Sequence, residues 1–102
     1  QGALVSVLTS QSGDIRGALI DADIIVSGAG VPGLIKPEFL KPGVVLIDAA
    51  TSESNGIIMG DADPACAQKC SLFTPVPGGV GPIAVACLFE NVVTLAEHAD
   101  FL

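Results

Sequence analysis

The sequence predicts an α/β fold built on a doubly wound parallel sheet. Short apolar, β-branched runs recur along the chain, helix-like segments separate them, and small or polar residues follow each run. The runs are continuous rather than alternating, as in strands covered on both faces. With 102 residues the chain has the length of one domain, for which a radius of gyration of roughly 13 Å is expected.

Ala3–Leu8 is apolar and β-leaning, and Thr9-Ser10-Gln11-Ser12-Gly13 is a polar turn. Asp14–Ile20 suits a short helix with Ile15 and Leu19 inward. Ile24-Ile25-Val26 is a strand that ends in Ser27-Gly28-Ala29-Gly30. Pro37–Leu40 is one helical turn with Pro near its start, and Val44–Ile47 is the clearest strand. Asp48–Gly56 is small and polar, hence a loop, and Ile57–Met59 is a short strand or an approach to Gly60-Asp61. Asp63 caps a helix through Lys69 with Pro64 in its first position, and Ser71–Phe73 is a brief strand. After Thr74–Pro82, a long helix starts at Pro82 and runs to about His98, with Ile83, Cys87, Leu88, Val92 and Leu95 at helical spacing.

Composition excludes several classes. Four Lys+Arg against 11 Asp+Glu leave a net charge of −7, and the four bases (Arg16, Lys36, Lys41, Lys69) are scattered, so no phosphate-neutralising stripe exists. Aromatics are 4% with no Trp or Tyr, which leaves no stacking platform for single-stranded nucleic acid. Hydrophobic residues make up 50% and charged residues 15%, enough apolar material for a core and against disorder. No uninterrupted apolar run approaches the roughly 18 residues of a membrane span. The start at Gln1, without Met or a basic leader, reads as processed or truncated with no signal peptide. Cys66, Cys70 and Cys87 read as reduced core thiols of a cytoplasm-like compartment. Cys66 and Cys70 are four residues apart, but no nearby His or further Cys pair completes a metal site.

The segment Pro77–Pro82 carries three glycines and two prolines. It is either a rigid strand-to-helix connector or a ligand loop, because glycines leave no side chains in a ligand's way and the helix N-terminus behind them favours an electron-rich group. Gly28, Gly30 and Gly33 fit the spacing G-x-G-x-x-G, but Pro32 lies among them and no long helix follows. Ser10 follows the first strand without an acid before Asp14, which favours NADP if this is the ribose-reading strand end; a solvated turn reads equally well. Asp48 and Asp61 sit at strand ends, where caps and turn formers outnumber ligand contacts. His98 reads as an exposed helix-end residue, and no Ser-His-Asp, Cys-His or paired-carboxylate arrangement stands out.

Thr74-Pro75-Val76-Pro77-Gly78-Gly79-Val80-Gly81-Pro82, running into Ile83–Leu88 and Glu90-Asn91, strongly resembles the signature of the methylenetetrahydrofolate dehydrogenase/cyclohydrolase family. Ala22–Val26, Gly30–Lys36, Lys41–Asp48 and Gly60-Asp61 are similar to further family segments in the family's order, so the resemblance covers essentially the whole chain. It implies a partial Rossmann-like sheet that lacks the first strand and the phosphate-binding turn, with residues 1–102 as the C-terminal portion of an NAD(P)-binding domain. It also implies hydride transfer from methylenetetrahydrofolate to NADP (NAD being the alternative), hydrolysis of the methenyl product, a cytoplasmic or mitochondrial location, and a homodimer of the full-length enzyme.

Carried over by residue, Pro77, Gly78, Gly79, Val80 and Gly81 match the loop that contacts the tetrahydrofolate substrate. Ser10 matches the serine of a His-Ser-Lys/Arg-Thr turn at the cofactor's adenosine phosphate, Gly30 a glycine near its ribose, and Thr51 an aliphatic position beside the cofactor. The turn here reads Thr9-Ser10-Gln11-Ser12, without the basic residue; Ala49-Ala50-Thr51-Ser52 replaces Val-Gly-Ile/Val-Asn, and Ala84 stands for a Thr. The family's Gly-Arg-Ser turn and its catalytic domain with Lys and Tyr have no counterpart in these residues, so no catalytic residue is assigned. A sheet without its central first strand exposes edges and apolar faces, which implies association with a missing segment or a partner. The rival readings are a non-catalytic fragment or degenerate module that binds a partner chain, and a different NAD(P) enzyme, which the Pro-Gly loop disfavours.

Overall fold

The computed structural model describes residues 2–99. Its elements run α1 (Arg16–Leu19), β1 (Ile24–Ser27), a 3-10 turn at Pro37–Phe39, β2 (Val45–Asp48), β3 (Ser52–Ser54), β4 (Ile57–Met59), a 3-10 turn at Pro64–Gln68, β5 (Leu72–Thr74) and α2 (Val80–His98). The sheet has three strands in the order β1-β2-β5, all parallel, with Ile25 opposite Leu46 and Leu46 opposite Phe73. The α/β parallel architecture expected from the sequence is therefore present, around one buried face.

That face holds Leu19, Ile25, Ile35, Leu40, Val44, Leu46 and Cys66, with Ile15 and Phe39 packed against them. Lys41, ahead of β2, bridges to Asp23, just ahead of β1, tying the N-terminal ends of these parallel strands. Asp63 caps the second 3-10 turn as expected, accepting from the Ala65 amide at 2.9 Å, with Pro64 at the first position.

Four expectations are corrected. Strands β1 and β2 alternate in burial, so the sheet is covered on one face only, and Ile24 and Val26 stay 64% and 69% exposed. Ala3–Leu8 forms no strand: with no neighbour to complete a ladder, Leu4 and Val5 are 98% and 77% exposed. The stretch read as a loop contains β3, which pairs antiparallel with β4 through Asn55-Gly56, both at positive φ (54° and 78°). Asn-Gly between two short runs is a strong hairpin signal, and it outweighs the small, polar character of the stretch. Finally, α2 begins at Val80, which places Pro82 third, where its missing N–H has no intrahelical acceptor to lose.

No residue of α2 is buried. Among the described residues it is the one helix long and apolar enough to cross a membrane by length and composition, although Glu90 and Asn91 divide it into shorter apolar runs. Unpacked α2 and the extended N-terminal stretch raise the radius of gyration to 16.4 Å, against the roughly 13 Å of a packed chain this long. The exposed edges and apolar faces expected of a sheet without its central strand are thus observed.

Candidate functional site

Parallel strands aim their carbonyl ends at one rim, and ligands of open α/β sheets bind outside that rim. Here the rim carries two buried carboxylates. Asp48, the last residue of β2, accepts the Ala50 amide on Oδ1 at 3.1 Å and the Ala62 amide on Oδ2 at 2.9 Å. Asp61 accepts from Ser27 Oγ and from the amides of Ala29 and Val31. Both are loop formers, as the sequence favoured, and every one of these bonds shapes a loop at the rim.

Between the Asp48 loop and the segment after β5 lies a cleft of about 410 Å³. Asp48–Thr51 form one wall, Pro75–Pro82 the other, and Ile58 of β4 and Ala84 of α2 complete it. The second wall is backbone for a steric reason. A Cβ on Gly79 would stand 2.4 Å from the Pro75 carbonyl oxygen, and Gly78 has φ +101° with open space where a side chain would go. Gly79 precedes α2 without a side-chain cap, so the amides of Val80 and Gly81 have no acceptor inside the helix. A backbone wall, apolar flanks and a helix N-terminus at one side suit a partly apolar ligand with an electron-rich edge.

Of the residues singled out in the sequence, Thr51 and Pro77, Gly78, Gly79, Val80 and Gly81 line this one cleft. Gly30 joins it indirectly: its carbonyl accepts from Ser52 Oγ at 3.0 Å, beside Thr51. Ser10 is not part of the cleft lining. It lies in an exposed turn held by the Thr9 amide on Ser12 Oγ (2.8 Å) and the Gln11 amide on Thr9 Oγ1 (3.2 Å). Those bonds occupy the hydroxyls of Thr9 and Ser12 and leave that of Ser10 outside the turn's own network. Arg16, close in sequence, is paired with Asp14 at 2.9 Å and lies 5.8 Å from the Phe39 ring centroid. That pairing raises the Arg16 guanidinium's pKa and lowers that of the Asp14 carboxyl, chiefly through their side-chain hydrogen bonds.

His98 is exposed near the end of α2 with Nδ1 2.8 Å from the Thr94 carbonyl, as expected of a helix-end residue. The cysteines divide. Cys66 is a core thiol, Cys70 is half-buried, and Cys87, expected in the core, is exposed on the unpacked α2. Burial, then Cys70 and Asp63, push the Cys66 thiol up to about 11. Sequence reasoning did not single out Ala49, Ala50, Ile58 or Val76 as cleft residues; Ile58 is signalled only through the Asn55-Gly56 hairpin that carries it, and the others are small or apolar residues with no chemical mark.

The fold and cleft define a parallel α/β ligand-binding domain with its site at the strand C-termini. The family model described as tetrahydrofolate dehydrogenase/cyclohydrolase, NAD(P)-binding domain, matches residues 1–100, and the chain belongs to that family. The bifunctional protein FolD of Hydrogenobaculum is 48% identical over 92 residues, covering 89% of this chain and 33% of that protein. FolD of Thermomicrobium roseum is 40% identical over 94 residues, covering 92% of this chain and 33% of its own length. The crystal structure of the bifunctional FolD methylenetetrahydrofolate dehydrogenase/cyclohydrolase from Campylobacter jejuni superposes with a TM-score of 0.88 at 39% identity, over 94% of this chain and 35% of that one. The Trypanosoma brucei enzyme complexed with NADP cofactor and inhibitor superposes at 0.75 with 35% identity, over 83% and 32%. The chain thus spans about a third of the length of the relatives it matches.

Proposed function

We propose that this chain is the C-terminal portion of the NAD(P)-binding domain of an NADP-dependent methylenetetrahydrofolate dehydrogenase that also acts as methenyltetrahydrofolate cyclohydrolase. The observation that carries the proposal is the shared cleft, in which Thr51, on the cofactor side by resemblance, faces the Pro77–Gly81 folate loop across one opening. The residues present fit a dinucleotide in part. Gly30 is exposed beside Ser52, and the open backbone at Gly78 leaves room for a ring system. When bound, the cofactor supplies the nicotinamide ring that accepts a hydride.

The chain's own contribution is orientation. Gly78 leaves the folate's approach unobstructed, and Gly79 lets the loop fold tightly against the Pro75 carbonyl. The helix start at Val80 and Gly81 favours an electron-rich edge, and Ile58 and Val76 give the space between an apolar lining. Among the described residues the one ionisable group that lines the cleft is Asp48, whose two oxygens already accept the Ala50 and Ala62 amides, so this chain is assigned binding and orientation rather than proton transfer. The bare sheet face and the unpacked α2 favour a second part of the proposal, that the chain works docked to the remainder of such an enzyme rather than alone.

Calorimetric titration of the intact protein that carries this chain with NADP and, separately, NAD tests the cofactor assignment. Saturable binding, tighter for NADP, is expected, with Ser10 meeting the extra phosphate. Equal affinity for both would remove that role for Ser10, and absence of heat with either would remove the binding assignment.

A further inference from the structure

Asp61 has no exposed surface, and one loop is wrapped around it. Its Oδ2 accepts from Ser27 Oγ at 2.5 Å and from the Ala29 amide at 2.8 Å; its Oδ1 accepts from the Val31 amide at 2.8 Å. Its main-chain carbonyl accepts from the Ile35 amide at 3.0 Å, and the Ile35 carbonyl accepts from the Asp63 amide at 2.9 Å. Asp61 thus holds the run from the end of β1 to Ile35 at four points, Ser27, Ala29, Val31 and Ile35. Residues 28–33 of that run are all exposed, and within them Gly30 is linked through Ser52 to the cleft wall at Thr51.

A carboxylate taken wholly out of water is costly unless its oxygens are satisfied, and this one spends its acceptor capacity on a loop that contributes few core side chains. We infer that Asp61 is a positioning residue for the dinucleotide: it fixes the Gly28–Gly30 main chain in advance, so that binding does not have to order it. The inference rests on the cofactor assignment proposed above. It concerns the loop's shape, since Asp61 itself is shut off from any ligand.

The test is Asp61→Asn in the intact protein that carries this chain. Asn keeps the size but replaces one acceptor oxygen by an NH2 group, which then faces a loop donor. NADP affinity should fall at least tenfold, with kcat at saturating cofactor within twofold of the wild type. Amide hydrogen exchange at Ala29 and Val31 should rise while that at Leu46 holds. Ser27→Ala, which leaves both oxygens on the amides, should weaken NADP by two- to fivefold. Faster exchange at Ala29 with unchanged NADP affinity would make Asp61 a purely structural residue and overturn the inference. Should Asp61→Asn not fold, Ser27→Ala decides, and unchanged affinity there overturns it. A wild-type protein that binds neither NADP nor NAD removes the cofactor assignment and the inference together; a wild type that binds beside an Asp61→Asn variant that binds equally well removes the inference alone.

Discussion

The main-chain amide of Asp48 donates to Thr74 Oγ1 at 2.8 Å, joining the last residue of β2 to the last residue of β5. The two walls of the cleft diverge from this bond, one continuing as Ala49–Thr51 and the other as Pro75–Pro82. Thr74→Val keeps the shape and removes the acceptor, leaving the Asp48 amide unpaired at a part-buried site. A loss of about 1–3 kcal/mol is expected, read as a lowered midpoint in urea unfolding. An unchanged midpoint would mean that water replaces the hydroxyl.

Gly60 marks where two loops meet. A Cβ there would lie 2.2 Å from Asp48 Oδ2 and 2.8 Å from Val76 Cγ2. Asp48 Oδ2 already accepts the Ala62 amide, so it cannot move aside without breaking that bond. Gly60→Ala should therefore cost about 1–3 kcal/mol or more. Gly17→Ala, in α1 with nothing within 4 Å, should instead stabilise by about 0.5–1 kcal/mol. Paired denaturation curves decide; equal effects would sink the steric argument.

The thiols should react in the order of their exposure. Cys87 on α2 should be alkylated first at pH 7, and Cys66 only when the chain unfolds. Because burial raises the Cys66 pKa from 9.0 to about 11, folding favours its protonated form. The associated stability is fully present below pH 9 and is lost as pH rises through 11. Mass spectrometry after timed labelling reads the order, and labelling of folded Cys66 as fast as Cys87 would contradict it.

Core and helix should respond differently to truncation in this chain. Leu46 is completely buried at the centre of the sheet, so Leu46→Ala should cost about 2–5 kcal/mol. Leu95 is 69% exposed, and Leu95→Ala should stay within about 0.5 kcal/mol. A large loss at Leu95 in the 102-residue chain would show α2 packed in solution.

Much of the fold was legible because it is local or one-sided. Asp63-Pro64 announces its turn by capping chemistry, and Val44–Ile47 is apolar enough to be a strand in any context. The hairpin at Asn55-Gly56 is legible too, from the Asn-Gly pair between two short runs. Ala3–Leu8 could not be judged locally, since a strand exists only where a neighbour supplies the other half of its ladder.

By itself the sequence determined the class, the family likeness and the glycine loop, since these depend on residue type and spacing along the chain. Only the tertiary structure decided that Thr51 and Pro77–Gly81 share a cleft, that Ser10 lies outside it, and that Asp61 gathers the loop from Ser27 to Ile35. The physical reason is that a hydrogen bond between residues 34 positions apart, such as Ser27 to Asp61, leaves no period or motif in the sequence. It arises when parallel strands bring distant loops to one rim, and burial then requires every polar group there to find a partner.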